Sequence, residues 1–357
     1  MRIERAITSL SWIPSEALDG VMKVAFEMGF THYDEPPPDR IDDLTTLQAE
    51  DRFRFANELR AWIEVADDGR VTGAGHAGRV LMGATTVLSG RRSSHTFAAY
   101  GMPVLQVEPE VTAQGVRFVQ TAGGRTGLPA PRRVNRPPFV QWKAPLVWST
   151  LALTIGTDGG TAIEVVGSSP FPRHWIYGPD GVLALKTGMT DFDGWYRGAF
   201  GRHSPWGDED SPALITAAET ALERRLSAEI MRSGARPEIR KVRAGETICA
   251  AGDASAEVFL LLDGVVRVDV GEPLVEMGPG AVFGERALLE SGTRTSTVVA
   301  VTPCRLAVAD ADQLDRAALT EVAAGHRHEH HREHHEVRAG GPAVQPSATN
   351  PPRRSAH

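Results

Sequence analysis

Two neighbouring segments decide the fold of the last third of this chain: Gly280-Ala281-Val282-Phe283-Gly284-Glu285-Arg286-Ala287-Leu288-Leu289 and Arg294-Thr295-Ser296-Thr297-Val298. Gly284 ends a strand-like run and lets the backbone turn while a ligand approaches closely. The residues from Glu285 onward predict one helical turn, whose free N–H groups can hold an anion. Arg294 follows at loop distance, so its guanidinium can fork two hydrogen bonds onto a phosphate. The Glu285 carboxylate can accept from sugar hydroxyls, and together these groups provide the chemistry that a cyclic nucleotide requires.

This region resembles the phosphate-binding cassette of the cyclic-nucleotide-binding family. The family includes regulatory modules of protein kinases A and G, cyclic-nucleotide-gated channels and the bacterial catabolite activator. Its pattern of Phe-Gly-Glu-x-Ala-Leu, a short loop and an arginine is matched by Phe283, Gly284, Glu285, Ala287, Leu288 and Arg294. The family's opening strands and turns resemble three upstream segments, at 243–248, 251–253 and 258–266.

The resemblance implies a set of ligand-binding residues: Gly284, Glu285, Arg286, Ala287, Leu288, Arg294, Thr295 and Ser296. It assigns Glu285 to the ribose 2′-hydroxyl, Arg294 to the cyclic phosphate, and the backbone N–H groups of Ala287 and Leu288 to the same phosphate. Thr295 follows the arginine as in kinase-G-like and channel modules, which permits cGMP without excluding cAMP. Arg286 replaces the usual apolar residue, and we expect it to be exposed.

The same resemblance implies an antiparallel β-roll over residues 237–325, closed by a lid helix. We expect that helix to begin near Asp310 and to run through Leu314, Leu319 and Val322. The ligand is cAMP or cGMP, and no redox cofactor is expected. The bacterial activators carry a helix-turn-helix after the lid, for which the remaining sequence leaves no room, so a transcription factor of that architecture is not expected.

The front of the chain, residues 1–208, predicts a β-rich domain, a barrel or sandwich with flanking helices, so the fold class is α+β or mainly β. Strand signals lie at 61–65, 116–120, 139–142, 151–155 and 162–166, with a hairpin turn at 157–160 and a Pro/Gly-rich loop at 128–138. Apolar spacing at 17–28 predicts an early helix.

A linking helix is predicted over residues 209–236. Ser211 is a good N-cap, Pro212 fits the first turn, and apolar residues follow at helical spacing up to Ile230. The apolar stripe has two equally acceptable interpretations. It could pair with its copy in a homodimer, or it could pack onto its own domain.

Composition limits the partners and the location. The net charge is −7, which argues against a nucleic-acid partner because phosphate backbones attract basic faces. No apolar run approaches the ~20 residues that span a bilayer, so we expect no membrane partner and a cytoplasmic location. Cys249 and Cys304 are the two cysteines and are expected as reduced, buried thiols.

The tail, residues 326–357, holds six histidines between His326 and His335 and then a segment rich in Gly, Pro, Ser and Arg. Pairs of these histidines four apart could bind Zn²⁺ on a helix. A run built from His, Arg and Glu produces such spacings by chance, so we favour a solvated, disordered tail without a metal site.

Two weaker motifs lie in the front domain. Residues 73–78 spell a Gly-x-Gly-x-x-Gly fingerprint, but a strand-like run follows where a dinucleotide site requires a helix. His174, Asp191 and Asp193 could form an acid/base site. Three functions therefore stand: an allosteric cyclic-nucleotide-binding protein, an enzyme regulated by such a module, and a scaffold.

Overall fold

The protein is described by a computed structural model that covers residues 1–14, 23–24, 34–89, 93–133, 137–192, 194–195, 205–206, 215–219, 221–232, 237–255, 257–269, 274–310, 317 and 319–324. The early helix predicted at 17–28 falls almost wholly outside these residues; positions 23 and 24 are helical. Among the described residues strands far outnumber helices, which confirms the mainly-β class.

The described residues of the front domain include the short helix α1 (Leu44–Ala49) and the strands β1 (Arg2–Trp12), β2 (Phe55–Val65), β3 (Val71–Met82), β4 (Thr85–Ser89), β5 (Ser93–Phe97), β6 (Tyr100–Gly101), β7 (Leu105–Gln106), β8 (Glu110–Val111), β9 (Gly115–Arg125), β10 (Ala130–Arg133), β11 (Val140–Lys143), β12 (Leu146–Gly156), β13 (Thr161–Ser168), β14 (Arg173–Tyr177), β15 (Leu183–Thr187) and β16 (Ile215–Ala217). Two six-stranded sheets account for most of them. The first has the order β16-β15-β14-β1-β2-β3, and the second is built on β13-β12-β9-β6, with β7 and β8 also pairing with β9.

The two sheets share one apolar core cluster, as the sheets of a sandwich do, and the choice between barrel and sandwich stays a prediction. Strand β2 alternates buried and exposed side chains, as a strand with one face in a core does. Its buried residues Leu59 and Ile63 belong to one apolar cluster with Phe118 of β9 and Leu151 and Ile155 of β12. The strand and hairpin predictions at 61–65, 116–120, 151–155, 162–166 and 157–160 are confirmed.

The glycines of the fingerprint at 73–78 lie within β3, which pairs antiparallel with β2. A Cβ added at Gly75 would collide with the Trp62 indole, and one added at Gly78 would collide with the Gln120 amide. These glycines therefore accommodate close packing in a strand, and the dinucleotide interpretation is wrong.

Part of the loop predicted at 128–138 is a strand instead. Residues Ala130–Arg133 form β10, which pairs with β11 as a separate two-stranded sheet. The Pro and Gly content suggested a loop, but cross-strand hydrogen bonding to 140–143 overrides local preference here.

In the part of the C-terminal module that the structure describes there are eight strands: β17 (Glu238–Val242), β18 (Thr247–Cys249), β19 (Glu257–Asp263), β20 (Val266–Asp269), β21 (Val275–Met277), β22 (Val282–Phe283), β23 (Thr297–Ala300) and β24 (Cys304–Asp310). They form two four-stranded antiparallel sheets of order β17-β24-β19-β22 and β18-β23-β20-β21. An inner cluster that includes Phe259, Phe283, Val298 and Leu306 lies between the sheets. This is the predicted β-roll.

The linking helix is shorter than predicted. Helix α2 spans Ala221–Arg232, whereas Ile215–Ala217 forms β16 and extends the first sheet by pairing with β15. Residues 215–217, whose apolar spacing suggested a helix, thus pair as a strand instead. The predicted N-cap Ser211 and Pro212 lie outside the described residues. Leu226 and Ile230 of α2 are buried against the outer face of the β19–β24 sheet. The stripe packs onto its own domain, and homodimerisation through this helix stays a prediction.

Asp310 ends β24, and residues 311–316 lie outside the described residues, so a lid helix that begins near Asp310 stays a prediction. Residues 319–324 are helical, and Leu319 and Val322 pack beside α2 in the outer cluster. Leu314 and the His-rich tail lie outside the described residues, so a lid over the site stays a prediction. Within the described chain, no helix has the length and hydropathy to cross a bilayer, and no group of His, Cys, Asp or Glu side chains is placed to hold a metal ion.

Candidate functional site

The turn that follows β22 forms the base of the predicted site. Gly284 has a φ of 91°, in the left-handed region that favours glycine. Glu285 and Arg286 then enter a helical turn that continues as π-helix over Ala287–Ser291 and ends at Gly292, which has a φ of 71°. The predicted helical turn is therefore present, in a wider form than an α-helical turn.

Gly284 is required for a second reason. A Cβ built on it would collide with Nη1 of Arg294 and would come within 3.1 Å of the Glu257 carbonyl oxygen. The guanidinium occupies the space that any other side chain would need. The glycine thus serves both the backbone turn and the position of the arginine.

The Arg294 guanidinium is held by three hydrogen bonds in a buried setting. Nη1 donates to the carbonyl oxygens of Glu257 at 2.9 Å and Gly284 at 3.1 Å, and Nη2 donates to Ser255 Oγ at 2.5 Å. The residue is only 5% exposed. The Phe259 ring lies 5.0 Å from the guanidinium carbon, in cation–π range.

One edge of this guanidinium has no protein partner among the described residues. A guanidinium has five N–H donors, and the three hydrogen bonds leave the Nε–H and one Nη2–H. Nε is buried and unbonded. Nε and Nη2 together form the fork that binds phosphate or carboxylate oxygens in pairs. A buried donor without a partner is costly, so this edge is prepared for an anion.

The backbone around Arg294 fixes the position of this edge. Arg294 exchanges backbone hydrogen bonds with the turn before β19: its N–H donates to Asp253 at 2.7 Å and its carbonyl accepts from Gly252 at 2.8 Å. Ser255 N–H donates to Gly292. Two segments ~40 residues apart in sequence are thereby joined into one wall of the site.

Glu285 lies at the start of the helical turn and is 3% exposed. The residue before it, Gly284, accepts the hydrogen bond from Arg294. Glu285 is thus next in sequence to the glycine whose carbonyl oxygen binds the guanidinium, and its role at the site stays a prediction.

The other predicted residues divide between the core and the surface. Ala287 is buried, and Leu288 packs against the outer cluster of the module. Thr295 is exposed and Ser296 is half-buried. Arg286 is half-buried, so the expectation that it is exposed is wrong.

Sequence reasoning missed four residues that support the guanidinium: Ser255, Glu257, Phe259 and Arg240. Arg240 donates to both carboxylate oxygens of Glu257, at 2.8 and 3.3 Å, and this hydrogen bonding lowers the pKa of Glu257. Phe259 was part of an apolar strand signal, but the role of Ser255 arises from tertiary pairing and leaves no local motif. Near the site, burial raises the pKa of the Cys249 thiol, against the opposing influence of Arg294.

A polar junction joins the module to the front domain at the far end of β19. Asp263 Oδ1 accepts from the Thr190 backbone N–H at 2.9 Å and the Thr190 hydroxyl at 2.8 Å. Arg173 donates from Nη2 to the Leu262 carbonyl at 2.8 Å and lies 3.4 Å from Asp263 Oδ1. Burial raises the pKa of Asp263. We refer to Arg173, Thr190, Leu262 and Asp263 as the domain junction.

The acid/base site proposed for the front domain is not assembled. His174 is fully buried, and the hydrogen-bond partners of its ring are Ser11 at 2.7 Å and Ser169. Burial lowers its pKa to about 4. Asp191 instead is exposed and accepts from the Gly194 N–H in a local turn, and Asp193 lies outside the described residues. Because the His174 ring is fully buried, a substrate cannot reach it, and the structure does not support an acid/base role for this residue.

Comparison with known proteins assigns the C-terminal part of the chain to the family that its sequence resembles. Residues 239–321 match the family model of the cyclic nucleotide-binding domain. These residues are therefore a cyclic-nucleotide-binding domain, as the resemblance implied, and the match leaves the front domain without a recognised family.

Among curated relatives, a cyclic nucleotide-gated potassium channel of Mesorhizobium japonicum is 43% identical over 67 residues, which cover 19% of this chain and 19% of the channel. A CRP-like cAMP-activated global transcriptional regulator of Mycobacterium tuberculosis is 30% identical over 88 residues, 22% of this chain and 39% of the regulator. The chain thus spans well under half the length of these relatives. A solved cyclic nucleotide-binding-like protein from Brucella abortus is 19% identical, with 29% of this chain and 97% of that chain covered and a TM-score of 0.21.

Proposed function

We propose that this protein binds cAMP or cGMP at the site built on Gly284, Glu285 and Arg294, and that binding controls the front domain. The observation that carries the proposal is the Nε/Nη2 edge of the Arg294 guanidinium, whose buried Nε has no hydrogen-bond partner among the described residues while three hydrogen bonds fix the rest of the group. A cyclic phosphate presents two unesterified oxygens, which match this edge. The Glu285 carboxylate would face the sugar, and the exposed Thr295 would face the base.

Fixing the guanidinium before the ligand arrives favours affinity. Ser255, Gly284 and Glu257 hold Arg294 in one geometry, so little side-chain freedom is lost when the phosphate binds. Charge-assisted hydrogen bonds in such a setting contribute about 1.5–3 kcal/mol. Loss of the guanidinium should therefore weaken binding by about 10- to 100-fold.

Calorimetric titration with cAMP and with cGMP tests this site. Arg294→Ala should lose most of the affinity for both ligands, and Glu285→Gln should weaken binding without abolishing it. Arg267→Ala is the matched control, since Arg267 lies on the module surface in an ion pair with Glu276. Unchanged binding by Arg294→Ala would rule out the assigned site, and no binding by the unmodified protein would rule out the function.

Control of the front domain is supported by the course of β19. Its first residue, Glu257, accepts from Arg294, and its last residues, Leu262 and Asp263, belong to the domain junction. Strand β19 thus contacts Arg294 at one end and the front domain at the other. Control requires that ligand bind one arrangement of the junction better than another, and couplings of about 1–3 kcal/mol are typical.

Amide exchange at the junction tests control directly. The Thr190 N–H donates to Asp263, and the Gly264 N–H donates to the Gly188 carbonyl at 2.8 Å. Ligand should change the exchange rates of both amides in the unmodified protein and leave them unchanged in Arg294→Ala. If ligand binds calorimetrically but both rates stay constant, binding is present without control. We also propose a cytoplasmic location for this sensor.

A further inference from the structure

The β10–β11 hairpin carries two of the large apolar side chains that are most exposed among the described residues of the front domain. Trp142 is 72% exposed and Phe139 is 58% exposed, and Val140 beside them is also exposed. Val140 and Trp142 are two residues apart on β11 and so share one face of the hairpin. Contiguous exposed aromatic and aliphatic side chains mark a surface that contacts a partner.

Phe139 is held in an unfavourable backbone conformation. Its φ is 64°, a region that non-glycine residues seldom adopt. More than half of this bulky side chain is nevertheless exposed to solvent. Such strain concentrates at functional positions.

The hairpin region is also basic in an acidic protein. No Asp or Glu occurs between Glu110 and Asp158. The part of this segment between residues 130 and 145 holds four basic residues, Arg132, Arg133, Arg136 and Lys143, whereas the whole chain carries −7. The local charge is thus opposite to the net charge of the molecule.

The hairpin continues from one end of the second sheet, where Arg125 of β9 pairs with Leu146 of β12. Two further exposed apolar residues lie at this end: Tyr100, which pairs with Arg125, and Leu128, which precedes β10. We define the hairpin face as Tyr100, Leu128, Phe139, Val140 and Trp142.

We propose that the hairpin face docks onto an anionic phospholipid surface. Tryptophan and phenylalanine insert at the boundary between headgroups and acyl chains, while nearby Arg and Lys side chains are drawn to anionic headgroups. The aliphatic members, Leu128 and Val140, gain from entering the acyl region. They have no π-face for stacking on bases, which makes a nucleic acid the less suitable partner.

This proposal departs from the expectation of no membrane partner, which rested only on the lack of an apolar run long enough to span a bilayer. It needs no long apolar segment, only an exposed apolar tip with cationic flanks. It also uses none of the cyclic-nucleotide site, so it stands or falls separately from the proposed function.

Sedimentation with large vesicles tests the docking, with the full chain and two lipid compositions. The unmodified protein should bind an equal mixture of phosphatidylcholine and phosphatidylglycerol and should bind phosphatidylcholine alone far more weakly. Phe139→Ala combined with Trp142→Ala should reduce binding to the mixture by more than about tenfold. Val111→Ala is the control, because Val111 is equally exposed but pairs with Val116 at the other end of β9.

A charge series completes the test. Arg132→Gln combined with Arg133→Gln should weaken binding by about thirtyfold, and added salt should act in the same direction. Arg40→Gln combined with Arg70→Gln, which removes two exposed arginines elsewhere, should have little effect.

Three results would overturn the proposal. The first is equal vesicle binding by the unmodified protein and the aromatic double variant. The second is that the unmodified protein fails to bind vesicles but binds single-stranded RNA, and that the aromatic double variant does not bind this RNA. The third is a dimer, detected by light scattering, that the same variant converts to a monomer, which would assign the face to a second copy of the chain.

Discussion

Nη1 of Arg294 lies 2.9 Å from the backbone carbonyl oxygen of Glu257, the first residue of β19. The guanidinium that we propose binds phosphate is therefore hydrogen-bonded to the backbone of Glu257 and not to its carboxylate. No substitution of Glu257 can remove that acceptor. The same nitrogen also reaches Gly284. The position of the guanidinium therefore depends on two backbone segments and on the space that Gly284 leaves.

Gly284→Ala should displace the guanidinium and reduce ligand affinity by more than about tenfold. The added Cβ collides with Nη1 of Arg294, and the left-handed backbone itself costs about 1–2 kcal/mol for alanine. Calorimetric titration and thermal unfolding measure the two effects. Gly245→Ala separates them, because Gly245 has a φ of 82° with nothing within 4 Å of an added Cβ. Equal affinity losses in both variants would show that the collision is unimportant.

Ser255→Ala should weaken ligand binding by about 5- to 30-fold. Its hydroxyl accepts from Nη2 of Arg294, and its removal leaves a buried charged donor without that partner. Ser255→Thr keeps the hydroxyl and should restore most of the affinity. Titration of the three proteins with one cyclic nucleotide suffices, and similar affinities for Ala and Thr variants would contradict the positioning role.

Asp263→Ala should loosen the domain junction and lower the free energy of unfolding by about 2–4 kcal/mol. The substitution removes the acceptor of both Thr190 hydrogen bonds and the carboxylate beside buried Arg173. Differential scanning calorimetry should then resolve two transitions where the unmodified protein has one.

The control for the junction is Glu276→Gln, which alters an exposed ion pair with Arg267 and should cost less than about 1 kcal/mol. A single transition at an unchanged temperature in Asp263→Ala would show that the junction does not couple the domains.

Acid should destabilise the front domain through His174. Burial holds its pKa at about 4 in the folded chain, against 6.5 for the exposed ring. The unfolded chain therefore binds the extra proton first, and stability is lost as the pH falls from about 6.5 to about 4, by up to about 3 kcal/mol. Urea unfolding at a series of pH values measures this loss.

His174→Gln should flatten that pH profile, whatever its effect on stability at neutral pH. His95→Gln, at an exposed position on β5, should leave the profile of the unmodified protein intact. A profile with the same slope in the His174 variant would assign the acid sensitivity to other groups.

The sequence was most informative where chemistry and local backbone coincide. Gly284, Glu285 and Arg294 were predictable because a glycine, a helical turn and an arginine follow one another within a dozen residues. The support from Ser255 was not predictable, because it depends on pairing between 252–255 and 292–294.

Two errors show the limits of local patterns. The helical spacing after Ser211 extended across Ile215–Ala217, which the first sheet recruits as an edge strand. His174 is polar and lies in an aromatic-rich segment, but packing between strands buries it. In both cases long-range contacts outweighed a short-range signal.

The turn after β19 has a consequence for how this module can be exchanged. Gly264, which lies there with a φ of 100°, leaves no room for a Cβ beside Pro303 and Cys304, and its N–H bonds to Gly188 across the boundary. A foreign β-roll grafted behind this front domain would have to supply an acid and a glycine side by side at that corner. Without these two residues, ligand binding in the grafted module would not be coupled to the front domain.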